Sequence, residues 1–372
     1  MPPARSFRDT TRHMNRLKVA LIGCGWAGEL QMTRGFDLLP ELFEVTVCCS
    51  RHADGRRSFS AKHHIPRDTN SFDEVLAMRD IDVVSICTPP PLHHDMIVAA
   101  LAADKYVICE KPLVSSLWQL DAIIDADRRA MARVMPIFQY RFGSAIPKLK
   151  EIIGSGLAGR PYVASVETLL RRTADYYRVE WRGKFATELG GVLVTQAIHN
   201  HDLLLHLMGP VSSLAAFKAT LVNPVEVEDC AAACLRLESG ALASLTATLG
   251  SARPSTRMRL CFERATFERQ CFDAATSQLA EEPWNFTASD PDVTAAIRQI
   301  MTRPADGPAG FASQFLAFHQ ALAEDGPLPV TLTDARRALE LITGMFHSED
   351  SDSIVALPIT SNHPKYRSWA PQ

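Results

Sequence analysis

The feature that most limits the fold of this chain is an alternation of short apolar runs with helix-like segments between residues 17 and 142. The apolar runs are LKVALIG, FEVTVCCS, DVVSICTPP, KYVICEKP and RVMPIFQYRF. Apolar strands that alternate with helices are typical of a parallel sheet covered by helices on both faces. We therefore predict a doubly wound parallel α/β domain over residues 17–142, preceded by a flexible tail at 1–16.

The pattern changes after residue 142, where longer runs alternate apolar and polar positions. These runs are PYVASVETLL, SSLAAFKATLV, DCAAACLRLE, GALASLTATLG and STRMRLCFE. Such alternation is typical of antiparallel strands with one buried face. Helices are predicted among and after them, over 190–209 and 333–347. Residues 143–372 are thus expected to form an α+β domain with a largely antiparallel sheet.

The bulk composition excludes several classes of function. A net charge of −3 and a pI of about 6.5 give no electrostatic basis for binding nucleic acid or an anionic membrane. No apolar run reaches the roughly 18 residues that a membrane span requires. The nine cysteines include no C-x-x-C pair, so we expect reduced thiols, no zinc site and a cytoplasmic location.

A glycine-rich loop joins the first predicted strand to the first predicted helix. Its residues are Gly23, Gly25, Trp26, Ala27 and Gly28, in the pattern G-x-G-x-x-G. The glycines permit a tight turn, close approach of a pyrophosphate and close packing of helix on strand. The helix N-terminus adds free N–H groups. The loop predicts a dinucleotide site, and a ligand-free tight turn is the alternative.

The end of the second predicted strand bears on which dinucleotide binds. NAD enzymes usually place a carboxylate there, about 20 residues after the loop, to bind the ribose hydroxyls. This chain has Ser50 and Arg51 at that position. A guanidinium supplies charge-assisted donors to a 2′-phosphate. The pattern favours NADP, whereas an arginine that stacks on the adenine would also accept NAD.

Lys111 follows a buried strand at the sheet edge where ligands of doubly wound folds bind. A lysine at such a place is costly unless it has a partner or a function. An ordinary surface lysine at a strand exit is the alternative. The same edge holds further residues expected beside the cofactor: Thr88, Pro89, His93, Glu110 and Pro112. For His93 a structural role is the alternative, and a catalytic role is not expected.

The helix predicted over 190–209 is mostly apolar, yet it carries Thr195, His199, Asp202 and His206 at spacings of four, three and four. On one helix these residues form a narrow polar stripe, which must face water, a metal or a cleft. Zinc ligation by the three titratable residues and a satisfied core histidine are both possible. A proton acceptor near a nicotinamide is the interpretation that joins this stripe to the dinucleotide site.

A segment rich in arginine and aromatic residues precedes that helix. Its side chains suit a sugar ring, on which they could stack and to which they could donate hydrogen bonds. The candidates are Tyr176, Tyr177, Trp181 and Arg182, with Arg141 from the end of the fifth strand. An ordinary packed loop fits the same residues equally well.

The chain resembles the glucose–fructose oxidoreductase, inositol dehydrogenase and rhizopine-catabolism family, written Gfo/Idh/MocA. The resemblance runs nearly end to end, through GCGWAG, TPPPLHH, VICEKPL, QYRF, WRGKFATELGGVLVTQAIHNHDLLLHLMG, VEVED and NHPKYRSWAP. It implies a Rossmann domain, an open-faced antiparallel sheet that often mediates oligomerisation, and a dimer or tetramer. It also implies a nicotinamide cofactor and redox chemistry at a carbon of a sugar or cyclitol.

The same resemblance implies roles for particular residues. Lys111 and His199 match the family's catalytic pair, Pro112 a cis proline, and Asp202 a ligand of substrate hydroxyls. Many members place an aspartate where this chain has Thr195, which can bond a substrate hydroxyl but cannot stabilise an imidazolium by charge. A redox-neutral glycosidase or lyase with tightly bound NAD, a non-catalytic dinucleotide sensor and a zinc enzyme are the alternatives.

Overall fold

The fold is described from a computed structural model, which covers residues 16–272, 279–305 and 307–370. The tail predicted at 1–16 lies outside these residues except for Arg16. The first sheet contains β1 (Leu17–Ile22), β2 (Phe43–Cys49), β3 (Arg67–Thr69), β4 (Val83–Ile86), β5 (Tyr106–Cys109) and β6 (Val134–Pro136). Its order is β3-β2-β1-β4-β5-β6, and every pair is parallel. The predicted doubly wound sheet is confirmed, with β3 as a short edge strand that the sequence pattern missed.

Five helices connect these strands: α1 (Trp26–Arg34), α2 (Ala53–Lys62), α3 (Phe72–Ala77), α4 (His93–Ala102) and α5 (Leu117–Arg129). The strand order reverses between β1 and β4. In open α/β sheets, ligands bind outside the carboxyl ends of the strands at such a reversal. The glycine loop after β1 and the segment after β4 both lie at this point.

The second sheet contains β7 (Pro161–Arg171), β8 (Val211–Ala219), β9 (Cys230–Leu237), β10 (Leu242–Thr248), β11 (Gly250–Phe262), β12 (Ala265–Cys271), β13 (Asn285–Ala288) and β14 (Val355–Ala356). Its order is β13-β12-β11-β7-β10-β9-β8-β14. All pairs are antiparallel except β7 with β10. This confirms a largely antiparallel sheet. The sequence pattern missed β12, β13 and β14, which lie at the two edges.

The helices of the second half cover one face of this sheet, leave the other open and also return to the first sheet. They are α6 (Ile146–Gly154), α7 (Phe185–Glu188), α8 (Val192–Thr195), α9 (Ile198–Met208), α10 (Pro291–Met301), α11 (Gly310–Ala323) and α12 (Leu332–Ser351). Both α9 and α12 pack against the buried face. Residues on the other face, including Val163, Phe217 and Leu242, are exposed. Within the described residues, no helix has the length and apolarity to cross a membrane.

The last helices return to the first sheet and join the two halves of the molecule. In α11, the Phe315 ring stacks on Phe36 with centroids 4.5 Å apart. In α12, Arg336 Nε donates to Asp121 Oδ1 at 2.8 Å. The division of the chain at 142/143 stays a prediction, and residues after 310 pack against elements on both sides of it.

The prediction of one continuous helix over 190–209 is wrong. It is two helices, α8 and α9, separated at Gln196 and Ala197. The Ala197 N–H donates to the carbonyl of Val192, five residues back rather than four, so the chain leaves the α-helical path there. Thr195 therefore ends a short helix of its own, and only His199, Asp202 and His206 share α9.

A buried glutamate fixes the start of α8. Glu228 Oε1 accepts from the Leu193 N–H at 3.1 Å, and its main-chain carbonyl accepts from Val192 at 2.9 Å. A Cβ on Gly191 would lie 1.7 Å from that carbonyl oxygen, so only glycine fits. Burial raises the pKa of Glu228 to about 7, although backbone N–H groups of Gly191 and Leu193 oppose the shift.

We predict that Glu228 makes the fold less stable as pH rises. Its pKa is 4.5 ordinarily and about 7 when folded, so its stabilising protonated form is lost as pH rises through 7. Glu228→Gln has no group that titrates at this position. Between pH 4.5 and 9, the unfolding free energy of the wild type should therefore fall by roughly 3 kcal/mol more than that of the variant. Urea unfolding across this range measures the difference.

The exposed Glu226, two residues earlier, provides the matched control. Glu226→Gln should follow the wild-type pH dependence. If the unfolding free energies of Glu228→Gln and the wild type change in parallel with pH, the buried carboxyl is not the source of the pH dependence.

Candidate active site

The glycine loop after β1 is shaped for a group that lies against its backbone. Gly23 has a φ of +104°, and its N–H donates to the carbonyl of Cys49 at 2.8 Å. A Cβ on Gly28 would lie 2.4 Å from the carbonyl oxygen of Gly23, which makes glycine necessary for packing of α1 on the loop. At Gly25 a Cβ would meet no atom within 4 Å, so glycine there is not explained by packing. Open space above Gly25, at the N-terminus of α1, fits a pyrophosphate.

Two other predicted cofactor residues flank this loop. Trp26 begins α1 and is 76% exposed, which is unusual for so large an apolar side chain. Ala27 follows it and packs partly against the core. At the end of β2, Ser50 is half-buried and Arg51 is exposed. The nearby Asp68 carboxylate accepts from Arg56 Nε at 2.5 Å and therefore already has a cationic partner.

A buried polar network lies behind the glycine loop and was not anticipated from the sequence. Gln31 Nε2 of α1 donates to Glu110 Oε1 at 2.8 Å, and Ser85 Oγ of β4 donates to Gln31 Oε1 at 2.5 Å. Burial raises the pKa of Glu110, opposed by the bond from Gln31 and the charge of Lys111. This network fixes the end of β5 relative to α1, and with it the backbone that carries Lys111.

His93 joins the segments that follow β4 and β5. Its Nε2 lies 2.8 Å from the carbonyl oxygen of Thr88, and its Nδ1 lies 3.1 Å from that of Pro112. The side chain is fully buried, and burial lowers its pKa. Pro89 lies next to Thr88, at the start of the same segment. His93 thus holds two loops together, which agrees with the structural alternative for this residue, and its contact with the cofactor stays a prediction.

Lys111 extends from the first sheet to the helices of the second half. Its Nζ donates to the carbonyl oxygen of Thr195 at 2.7 Å, across 84 residues of sequence. The Lys111–Pro112 peptide bond is cis, as the resemblance implies. Burial lowers the pKa of Lys111; the charge of Glu110 opposes this, the charge of Arg182 adds to it, and the charge of Glu188 opposes it. Lys111 therefore lies among charged residues from both halves.

His199 lies four residues after Thr195, in α9. It is fully buried, and its ring stacks on Tyr140 with centroids 4.3 Å apart. Burial, and then the positive charge of Lys111, hold the pKa of His199 well below its ordinary range. The imidazole is therefore neutral at physiological pH. Thr195 donates its hydroxyl to the carbonyl of Gly191 at 2.7 Å, which leaves that oxygen only as an acceptor.

Asp202 and Arg141 do not lie on the open cleft, contrary to prediction. Asp202 Oδ2 accepts from Arg141 Nε at 2.8 Å and its Oδ1 from Arg141 Nη2 at 2.6 Å. Arg141 also pairs with Asp334 of α12 at 3.1 Å. This buried, two-point ion pair joins α9 to the ends of β6 and α12. The sequence could not indicate it, because the partners are 61 residues apart.

The zinc alternative is not supported by this geometry. It requires Asp202 as a ligand, but Arg141 holds both of its oxygens. His206 lies with Lys150 and Arg337 beside a separate surface pocket, and burial lowers its pKa to about 3. Among residues 16–272, 279–305 and 307–370, no group of three or more His, Cys, Asp or Glu is placed to hold a metal.

The predicted aromatic segment packs around one arginine. The Arg182 Cζ lies 3.9 Å from the centroid of the Tyr176 ring and 4.5 Å from that of Trp181. Tyr177 meets Tyr176 edge to face at 5.0 Å. Arg182 also pairs with the buried Glu188 at 3.2 Å. Gln196 Nε2 donates to the Tyr176 hydroxyl at 3.4 Å, and the preceding residue, Thr195, holds Lys111, so this cluster lies near the lysine.

Sequence profiles of two known domains match the chain. Residues 17–138 match the profile described as "Oxidoreductase family, NAD-binding Rossmann fold". Residues 146–268 match the "GFO/IDH/MocA C-terminal domain". Together these matches cover more than half of the 372 residues.

Individual relatives agree with these matches. The chain is 28% identical over 235 residues to the uncharacterized oxidoreductase YrbE of Bacillus subtilis. It is 26% identical over 235 residues to the myo-inositol 2-dehydrogenase of Thermotoga maritima. Each alignment covers 61% of this chain and 66% of the relative, just under two thirds of its length.

A solved structure shares the whole fold. The WlbA dehydrogenase from Bordetella pertussis, in complex with NADH and UDP-GlcNAcA, superposes with a TM-score of 0.82. The sequences are 24% identical, and the match covers 93% of this chain and 99% of that one. At this identity the likeness establishes the fold alone. The two profile matches, with the glycine loop and the two sheets, show that the chain belongs to the Gfo/Idh/MocA oxidoreductase family.

Proposed function

We propose that this chain is an NAD(P)-dependent dehydrogenase or reductase that acts on a carbinol or carbonyl carbon of a sugar, sugar derivative or cyclitol. The observation that carries the proposal is the hydrogen bond from Lys111 Nζ to the carbonyl of Thr195. It joins the ligand-binding edge of the first sheet to the helix turn that precedes His199. This contact, together with the effect of the Lys111 charge on the pKa of His199, supports a lysine–histidine pair beside the dinucleotide site.

The residues around the glycine loop fit a nicotinamide dinucleotide. Gly25 and the free N–H groups of α1 would receive the pyrophosphate, and the exposed Trp26 would be covered. When bound, a nicotinamide supplies or accepts the hydride of the redox reaction. The relative WlbA holds NADH, which supports the same class of cofactor here.

His199 and Lys111 would handle the proton of the substrate hydroxyl. A neutral imidazole accepts a proton, and the lowered pKa of His199 keeps it neutral over the physiological range. The ammonium of Lys111 would stabilise negative charge on the same substrate oxygen. In reduction the proton would move the opposite way, and Lys111, whose pKa burial lowers, would be a better donor than an exposed lysine.

The substrate would lie between these two residues and the Tyr176 cluster. Aromatic rings and a guanidinium suit the apolar faces and hydroxyls of a sugar. Relatives named for activity on such compounds include myo-inositol 2-dehydrogenase and levoglucosan dehydrogenase. We assign the Tyr176, Trp181 and Arg182 side chains to this contact.

The open face of the second sheet would mediate a dimer or tetramer. On β7, β8 and β10, Val163, Phe217 and Leu242 share this face with exposed fractions of 48%, 69% and 48%. Register pairs Leu242 with Val163 directly across β10 and β7. Large apolar side chains exposed on one face of a sheet are typical of protein interfaces.

The cofactor site can be tested with two glycine substitutions that differ in steric effect. Gly25→Ala should leave the melting temperature unchanged, because its Cβ meets no protein atom, yet weaken NAD(P)H binding roughly tenfold or more by obstructing the pyrophosphate. Gly28→Ala should lower stability by about 1–3 kcal/mol through overpacking. Calorimetric binding and thermal unfolding separate the two effects. Unimpaired binding by Gly25→Ala would place the dinucleotide elsewhere.

We predict a preference for NADP, provided by Arg51. Arg51→Ala should weaken NADPH binding by roughly tenfold, the loss of one charge-assisted hydrogen bond, and NADH binding by much less. Fluorescence titration with both dinucleotides measures this. Arg57→Ala, on the exposed side of α2, is the control. Equal losses for both dinucleotides would indicate adenine stacking instead.

Removal of the histidine should abolish most turnover but spare the cofactor site. His199→Ala should lower kcat by roughly 10²- to 10⁴-fold, the usual contribution of a general base, with NAD(P)H affinity retained. Initial rates over polyols, cyclitols and aldoses with both dinucleotides measure the effect. His201→Ala, on the same helix, controls for cavity formation.

Two results would contradict this assignment. Full turnover by His199→Ala would remove the histidine from the reaction. Product formation by the wild type without release of reduced cofactor would favour the redox-neutral alternative.

A further inference from the structure

Positive charge exceeds negative charge around the proposed substrate site. Three cations lie there: Lys111, Arg172 just after β7, and Arg182. The carboxylate that faces them from the second half of the chain is Glu188, which pairs with Arg182 and also acts on Lys111. Glu110, the other carboxylate near Lys111, is held by Gln31 on the cofactor side.

Arg172 is the cation without a carboxylate partner. Its Nη1 donates to the carbonyl of Arg171 at 3.1 Å and its Nη2 to Gln196 Oε1 at 3.2 Å. Its Nε is buried and has no acceptor, and it forms no ion pair with any residue that the structure describes. A partly buried guanidinium is costly unless an anion compensates for its lost hydration.

The two arginines are held against the same aromatic ring. The Cζ atoms of Arg172 and Arg182 lie 5.0 and 3.9 Å from the centroid of Tyr176. The Tyr176 hydroxyl accepts from Arg182 Nη1 and, at 3.4 Å, from Gln196 Nε2. Two guanidiniums therefore adjoin one ring, and an anion beside them would be attracted by both charges.

The arginines are connected to the reacting residues through one short stretch of backbone. Gln196, which holds Arg172 and Tyr176, directly follows Thr195. The carbonyl of Thr195 holds Lys111. An anionic group bound by Arg172 would therefore belong to the same molecule whose hydroxyl meets Lys111 and His199.

We propose that the substrate carries an oxyanion, either the carboxylate of a sugar acid or a phosphate ester, which Arg172 binds together with Arg182. The proposal rests on the proposed function for the site as a whole. The guanidinium of Arg172 keeps one N–H, on Nε, without an acceptor, and its planar shape matches the paired oxygens of a carboxylate or phosphate. A neutral polyol would leave that charge uncompensated.

Binding to the full-length protein saturated with NADH or NADPH tests the proposal. The ligands are aldoses, the corresponding uronic acids and the corresponding 6-phosphates, measured by titration calorimetry. One anionic series should bind at least roughly tenfold more tightly than the aldoses, the worth of one hydrogen bond to a charged group. Whether the uronic acids or the phosphates bind more tightly identifies the oxyanion.

Substitutions at two neighbouring arginines assign the effect. Arg172→Gln should abolish the advantage of the anionic series, and Arg172→Lys should retain part of it. Arg171→Gln is the matched control, because Arg171 is exposed and only its backbone carbonyl contacts Arg172. Thermal unfolding of each variant confirms that it is folded.

The outcomes distinguish this proposal from the proposed function. Equal binding of aldoses and both anionic series, or equal loss of all three in Arg172→Gln, would overturn the oxyanion site while redox turnover could stand. Weaker NADH binding by Arg172→Gln would also overturn it, since the arginine would then serve the cofactor. Binding of one anionic series that depends on Arg172, without reduction of either dinucleotide by any ligand, would support the oxyanion site and refute the dehydrogenase.

Discussion

The hydrogen bond from Lys111 to the carbonyl of Thr195 determines how the rest of the site is arranged. The last carbonyls of a helix have no partner within the helix, so each requires a donor from elsewhere. Thr195 ends α8, and the ammonium that follows β5 supplies that donor. One contact therefore completes a helix terminus, positions a cation and brings the two halves of the molecule together at the cofactor edge.

The contact depends on the interruption between α8 and α9. In a continuous helix, the carbonyl of Thr195 would accept from the residue four positions later, which is His199. Instead, the Ala197 N–H donates to the carbonyl of Val192, five residues back. Glu228 holds the start of the same short helix, where only a glycine at 191 fits. A buried carboxyl outside the cleft thus holds the start of the chain segment that enters the cleft.

The sequence allowed prediction of those features that depend on residues close together in the chain. The parallel strands, the glycine loop and the importance of Lys111 followed from apolar runs and turn residues over short windows. The interruption at Gln196 did not follow, and neither did the contact that holds the start of α8, because Glu228 lies 35 residues from its partner Leu193. The same limit applied to Asp202: its carboxylate has the spacing of a ligand, but its partner Arg141 is 61 residues away and becomes visible only when α9 packs.

The carboxylates of this site lie at positions other than the one that the family resemblance implied. Thr195 cannot supply negative charge beside His199, and the hydroxyl it does supply is bonded to Gly191. Glu188 instead brings a carboxylate toward Lys111 from the preceding turn, and it shares that charge with Arg182. Glu188 and Glu110 are the carboxylates that act on Lys111, and Arg172 pairs with neither, so three cations outnumber two carboxylates at the site. That balance favours a substrate that brings its own negative group over one that depends on the protein to provide it.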